Sequence, residues 1–402
     1  MVLAFILLNY LASASISWGQ DLPAAVKALD EGQKAIQKLE GPCAKCEAQK
    51  AAKKVEGLFD SRTVLELKIR GHFSVGLKDK GQDKAQQEAT QSDGELLIGS
   101  PYDQKISVRL ERRGWARGGC EIPLMKVIWD KKAKDVQGTL LDPLKDNDMK
   151  WVSDCSLGQT REILLEYFAQ RAMELSSFPA LRVRLAKVTY EDLDNRGKKT
   201  FRGNDHYGYF LEPDKDVEHR LKVTVVPVKK FAAENNSFDL TQNPSSDMTL
   251  AIPGILLEDL FQNEDYKVWE NKNTVVLMKK MDLKKEDFKK TGSYAGFLPY
   301  DMTLIPGRIL NYSMVDWAQV LNKSYAGGHG SWSNGERVLL KGSPDYWHSE
   351  WLKYAQILET KEDIIRQELK ALPSALPSNV DQMLADYFTA LRAFIQSKKA
   401  QP

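Results

Sequence analysis

After its first twenty residues the sequence has no apolar run long enough to cross a bilayer, which argues against a helical membrane protein. It lacks a dominant charge. The net charge is +2 and the basic residues are dispersed, so there is no broad electrostatic footprint for nucleic acid. Histidine is scarce and scattered (His72, His206, His219, His329 and His348). Cysteine is limited to four, with a lone C-x-x-C at Cys43 and Cys46. A zinc site needs a second ligand pair at similar spacing, and none is present. A G-x-G-x-x-G phosphate loop and a fixed-period repeat are also missing. The Gly-rich stretch from Gly327 to Gly335 lacks the Lys-Ser/Thr ending of a P-loop and reads as a surface loop.

What is present is an ordinary core-forming composition over 402 residues, 42% hydrophobic and 28% charged, which is enough for two lobes or two to three small domains. The opening is distinct. Val2 to Ile16 is almost uncharged, and Ala12, Ser13, Ala14 and Ser15 follow its apolar centre. This pattern reads as a signal peptide over 1–20, although no Lys or Arg precedes it; a buried N-terminal helix is the alternative. An exported protein is disulfide-permissive. Cys43–Cys46 and Cys120–Cys155 are then the expected pairs, with a redox C-x-x-C the alternative although no thioredoxin-like βαβ pattern surrounds it, and periplasm or extracellular space is the expected location.

Residues 21–60 read as a helical segment rich in Ala, Lys, Glu and Gln. Strands are expected where Leu65, Leu67 and Ile69 alternate with polar residues, and likewise at Ile106, Val108 and Leu110. Glu121 to Trp129 and Gly138 to Leu141 read as further strands, and 77–95 as a polar loop. A helix is expected over 160–176, with Leu164, Phe168, Ala172 and Leu175 on one stripe. Leu181, Val183 and Leu185 return to strand periodicity, and a turn at Asp194-Asn195-Arg196-Gly197 leads to Tyr207–Glu212. After about Asp216 the chain becomes more helical, broken by loops at 233–247 and 323–336, with late helices over 351–371 and 379–398. The class is α+β, with strands first and helices after.

Phosphoryl transfer needs a cation on the nucleotide phosphates, oxygen ligands for Mg²⁺ and a carboxylate near the acceptor hydroxyl. Lys150, Glu166, Asp265, Asn273 and Asp301 stand in the order a kinase uses for these roles. The surrounding words are more specific. Arg161 to Ala169 followed by Leu181 to Tyr190 resembles the CotH kinase-like family, as does Tyr207 to Asp214. Arg113-Gly114-Trp115-Ala116-Arg117 and Cys120-Glu121-Ile122-Pro123 resemble elements of its secreted bacterial members.

The resemblance implies a two-lobed, atypical protein-kinase-like fold, with a strand-rich N-lobe over 61–215 and a helical C-lobe over 216–402. It implies ATP and Mg²⁺ or Mn²⁺ as cofactors, and a protein substrate or envelope partner. Lys150 would hold phosphates and pair with Glu166. Glu212 would lie near the adenine. Asp265 would orient or deprotonate the acceptor hydroxyl. Asn273 and Asp301 would bind metal, and Arg113 and Arg117 would brace the lobe or reach phosphate. The family's Asp-x-Asp metal segment is here Asp301-Met302-Thr303, and Lys272 stands where many relatives carry His. Periodicity alone makes Glu166 a surface residue, about 200° around the helix from Leu164. The expected function is an exported kinase acting on Ser or Thr of an envelope protein. A pseudokinase or envelope binding protein is the alternative, and a disulfide-stapled structural protein a third.

Overall fold

The computed structural model describes residues 56–73, 91–99, 103–113, 124–153, 160–194, 201–227, 252–261, 274–279, 294–299, 315–326, 344–373, 376 and 378–400. The chain divides into two compact units, 1–54 and 55–402, and all described residues belong to the second. The signal-peptide segment, all four cysteines, Arg117, Asp265, Lys272, Asn273, Asp301 and Thr303 lie outside the described residues.

Seven strands form the sheet, and along most of them inward apolar residues alternate with outward polar or helix-covered ones. They are β1 (Leu65–Gly71), β2 (Gln91–Ile98), β3 (Gln104–Arg112), β4 (Met125–Ile128), β5 (Asp148–Ser153), β6 (Val183–Asp192) and β7 (Phe201–Leu211). They close into a barrel of order β1-β2-β3-β4-β5-β7-β6. Every neighbouring pair is antiparallel except the closing one, where Leu65 to Gly71 of β1 runs parallel to Ala186 to Asp192 of β6. This pairing leaves the sheet with no free edge. Leu67, Ile69, Leu96, Ile106, Leu110, Met149, Trp151, Tyr190 and Phe210 fill the inside. The Trp151 Nε1–H donates to Tyr190 Oη at 2.9 Å, so the one polar hydrogen of that ring is satisfied inside the barrel.

The two-lobed kinase-like fold implied by the resemblance is therefore not what the chain forms. The expected strand-rich half is a closed seven-stranded barrel, and seven helices accompany it among the described residues. Two local expectations fail as well. Gly138 to Leu141 is a turn, because Gly138 adopts φ +75° and Thr139 Oγ1 bonds back to the Val136 carbonyl. The region after Asp216 is not purely helical. There β8 (Val223–Pro227), β9 (Thr274–Lys279) and β10 (Tyr294–Pro299) form a three-stranded antiparallel sheet of order β10-β9-β8.

Helix α1 (Thr160–Leu175) sits between two layers. Ile163, Leu164 and Tyr167 join a cluster with Val152, Val183, Leu185, Tyr209 and Leu211 on the outer face of the barrel. Leu165, Phe168, Ala169, Ala172 and Met173 face the core of the remaining helices. Every residue from Ile163 to Met173 is consequently buried. Six helices follow: α2 (Asp214–Leu221), α3 (Ile252–Leu260), α4 (Trp317–Tyr325), α5 (Pro344–Glu359), α6 (Glu362–Lys370) and α7 (Ser378–Lys399). Residues of α1 and α3–α7 share one core, in which Trp351, Tyr387 and Phe388 are fully buried. Burying each such side chain contributes about 1.5–3 kcal/mol relative to exposure.

Candidate functional site

The alternation of β5 decides where Lys150 faces. Met149 and Trp151 point into the barrel, with the Trp151 and Phe210 rings 4.6 Å apart. Lys150 and Val152 therefore share the outer face, and Val152 lies in the cluster beneath α1. In register, Lys150 stands opposite Lys126 of β4 on one side and Leu211 of β7 on the other. Lys150 is half-buried, at the rim of the area covered by α1.

Glu166 approaches the same face from the helix. It is 3% exposed and accepts a hydrogen bond from Tyr209 Oη at 3.4 Å. Tyr209 is the register partner of Val152, two residues from Lys150. The helix thus delivers a buried carboxylate to the strand pair that carries Lys150. The expectation of a surface glutamate fails because both sides of α1 are covered, leaving no solvent side for the residue opposite the apolar stripe. One turn on, Tyr167 Oη donates to Glu368 at 3.5 Å. Burial pushes its hydroxyl far above the ordinary tyrosine range, and the nearby Glu368 charge adds to this. Arg171, also buried, forms ion pairs with Glu174 and with Glu368, joining α1 to α6.

Glu212 follows β7 and its side chain is fully buried. It accepts hydrogen bonds from the Arg182 backbone N–H (3.0 Å), Arg182 Nε (2.9 Å), Arg220 Nε (2.9 Å) and Arg220 Nη2 (2.5 Å). Its own N–H donates to the Arg182 carbonyl at 2.9 Å. Arg182 reaches on to Asp60 at 3.6 Å and lies over the Phe59 ring, and Arg220 donates to the Ala180 carbonyl. Glu212 therefore clamps α2 to the start of β6. Arg113 extends β3, its N–H donating to the Leu124 carbonyl at 2.7 Å.

Asp265, Asn273 and Asp301 lie outside the described residues. Thr274, which follows Asn273, pairs with Pro299, two residues before Asp301, at one end of the β9–β10 ladder. Among the described residues no group of three His, Cys, Asp or Glu could hold a metal ion.

A groove of about 740 Å³ crosses the outer face of β1–β4, lined among others by Arg70, His72, Asp93, Arg109, Ile128 and Asn147. Neither Lys150 nor Glu166 lines it. Its β4 wall is Ile128, two residues from Lys126 on the same face. Three of its ionisable lining groups, Arg70, Glu95 and His72, are already paired. Arg70 binds Glu95 at 2.6 Å and Glu191 at 3.2 Å, and His72 Nδ1 meets Asp194 at 2.7 Å.

Sequence reasoning did not single out Tyr209, Lys126, or the Arg182 and Arg220 clamp. The partner role of each depends on strand register or on helix packing that local periodicity does not encode.

No protein-family model matches the chain, and no curated protein matches it. Among solved structures, it is similar to the Helicobacter pylori proinflammatory kinase CtkA. The two are 10% identical with a TM-score of 0.32, over 71% of this chain and 92% of that one. Similarity at that level establishes neither a shared fold nor a shared activity.

Proposed function

We propose that the chain binds ATP with its phosphates on Lys150, and transfers the terminal phosphoryl group to a Ser or Thr hydroxyl of a cell-envelope protein. The observation that carries this reading is the approach of a buried helix carboxylate, Glu166, to the strand face of Lys150 through Tyr209. A carboxylate removed from water is costly unless a cation and hydrogen bonds accompany it. In this reading Glu166 pairs with Lys150 and holds it as a fixed positive charge at the rim of the helix-covered patch, where a phosphate chain can reach it.

The donor set suits Mg²⁺ or Mn²⁺. The Asn273 amide and Asp301 carboxylate are oxygen ligands, and such ions complete their coordination with phosphate oxygens and water. When bound, the ion neutralises charge on the phosphate oxygens. Lys150 orients the phosphates, Glu166 fixes Lys150, and Asp265 takes the proton of the acceptor hydroxyl. That oxygen bonds to the terminal phosphorus as the bond to the bridging oxygen of ADP breaks. Glu212 has no adenine contact in this reading, since its oxygens are taken by two arginines. Export, proposed from Val2–Ile16, places the acceptor in the envelope.

Thr303, in place of a second carboxylate, favours a second reading in which nucleotide binds without turnover. Incubation with terminally labelled ATP and an envelope protein fraction separates the two. Label transfer by the wild type, lost in Lys150→Ala and Asp301→Ala, supports the kinase. Unchanged labelling in Lys150→Ala refutes the assignment of Lys150. Nucleotide binding without any labelling supports the second reading.

A further inference from the structure

Two lysines stand directly opposite each other on the outer face of the barrel. Lys126 of β4 is the register partner of Lys150 of β5, and both are half-buried. Residues paired this way in an antiparallel ladder bring their Cβ atoms within about 4.5–5.5 Å, and like charges so placed are destabilising. The two cations share more than register. Leu124 and Val152, one step along each strand on the same face, belong to the cluster beneath α1. On the other side Ile128 stands opposite Asp148, and Ile128 lines the groove. The pair thus occupies the boundary between the helix-covered patch and the open groove.

The acidic groups around Lys126 are few and partly engaged. Lys126 Nζ meets Asp148 Oδ2 at 3.0 Å, and both side chains are 32% exposed, so solvent screens the contact. Glu111, its other cross-strand neighbour, accepts a hydrogen bond from Gln91 at 2.9 Å. An arrangement that sets two lysines on directly paired positions, with one of them held by a partly exposed carboxylate, suits a guest carrying several negative charges in a row. A diphosphate or triphosphate chain carries three or four such charges, whereas a monophosphate carries at most two.

We infer that Lys126 is a second phosphate-contacting residue beside Lys150, and that the pair makes the site selective for nucleoside di- and triphosphates over monophosphates. This inference rests on the reading of Lys150 given above. On binding, Lys126 exchanges part of its contact with Asp148 for phosphate oxygen, and the repulsion between the two lysines is relieved.

Calorimetric titration of the full chain with ATP, ADP and AMP tests it, using wild type, Lys126→Met, Lys126→Arg and Lys150→Ala. The wild type should bind ATP and ADP more tightly than AMP. Lys126→Met should weaken ATP and ADP about three- to tenfold, the range expected for losing one charged hydrogen bond at a solvent-accessible site, and leave AMP unchanged. Lys126→Arg should retain most of the preference. The double variant Lys126→Met with Asp148→Asn should stay weak. If it recovers wild-type affinity, Lys126 serves only to neutralise Asp148 and the inference is overturned. It is equally overturned if Lys150→Ala loses binding while Lys126→Met does not. Absence of nucleotide binding by the wild type overturns the reading of Lys150 and this inference together.

Discussion

Replacement of Glu212 tests whether its arginine contacts are structural. The side chain is fully buried and accepts four hydrogen bonds, three of them from guanidinium groups. Removing one member of a fully buried charged network costs about 3–5 kcal/mol, because the partners remain buried and uncompensated. Here Arg182 and Arg220 are 25% and 29% exposed, so water can partly replace the carboxylate. The expected cost of Glu212→Ala is then about 2–4 kcal/mol. Glu212→Gln keeps the shape, but it turns an NH₂ group towards an arginine and removes the charge, so it should cost nearly as much. Urea unfolding followed by tryptophan fluorescence measures this as a fall in midpoint at unchanged slope. The double variant with Arg220→Met should show positive coupling, since each partner alone leaves the other unmatched. A loss below about 0.5 kcal/mol in Glu212→Ala, typical of surface substitutions, would refute the clamp and return Glu212 to the candidates for adenine contact.

Three further outcomes follow from the barrel. A Cβ at Gly208 would lie 2.3 Å from the Trp151 ring and 2.7 Å from the Val152 carbonyl, so Gly208→Ala should destabilise by about 1–3 kcal/mol in the same unfolding assay. Arg184 is 5% exposed; its Nη2 donates to Thr63, while Nε and Nη1 have no acceptor among the described residues, and burial lowers its pKa below the usual arginine value. Arg184→Met should therefore be neutral or stabilising by about 1–2 kcal/mol in thermal unfolding, whereas a large loss would reveal an acceptor. Hydrogen bonds from Lys105 and Arg70 hold the Glu95 carboxyl below its ordinary value. A carboxyl lowered in the folded state contributes stability that is present above its unfolded value, near 4.5, and fades as pH falls below it. Glu95→Gln should accordingly flatten the acid limb of a melting-temperature profile below pH 4.5 and leave its shape near neutrality unchanged.

Local periodicity made β1, β3, α1 and the late helices legible, because each carries an apolar repeat of the right spacing. It concealed β2, where Ser92 and Gly94 take inward positions and Gln91, Asp93 and Glu95 their outward neighbours, so no apolar alternation appears before Leu96. Closure of the barrel was not legible either. The parallel pairing of β1 with β6 joins residues more than a hundred positions apart, and no turn or repeat encodes it. The C-terminal sheet was hidden for a similar reason, since β8 and β9 lie far apart in sequence and pair only once folded. At the site, the identity of Lys150 and Glu166 came from the surrounding words. The burial of Glu166 did not, because a helix covered on both sides has no polar face to betray which residues are inside.

The central claim is that Lys150, set against Glu166, holds nucleotide phosphate. The most direct measurement is calorimetric titration of wild type, Lys150→Met and Glu166→Gln with ATP and Mn²⁺. The account predicts saturable binding by the wild type, weakened at least tenfold in Lys150→Met and to a lesser extent in Glu166→Gln, with all three proteins folded by circular dichroism. Equal affinity in the wild type and Lys150→Met, or no binding in any of them, would contradict it.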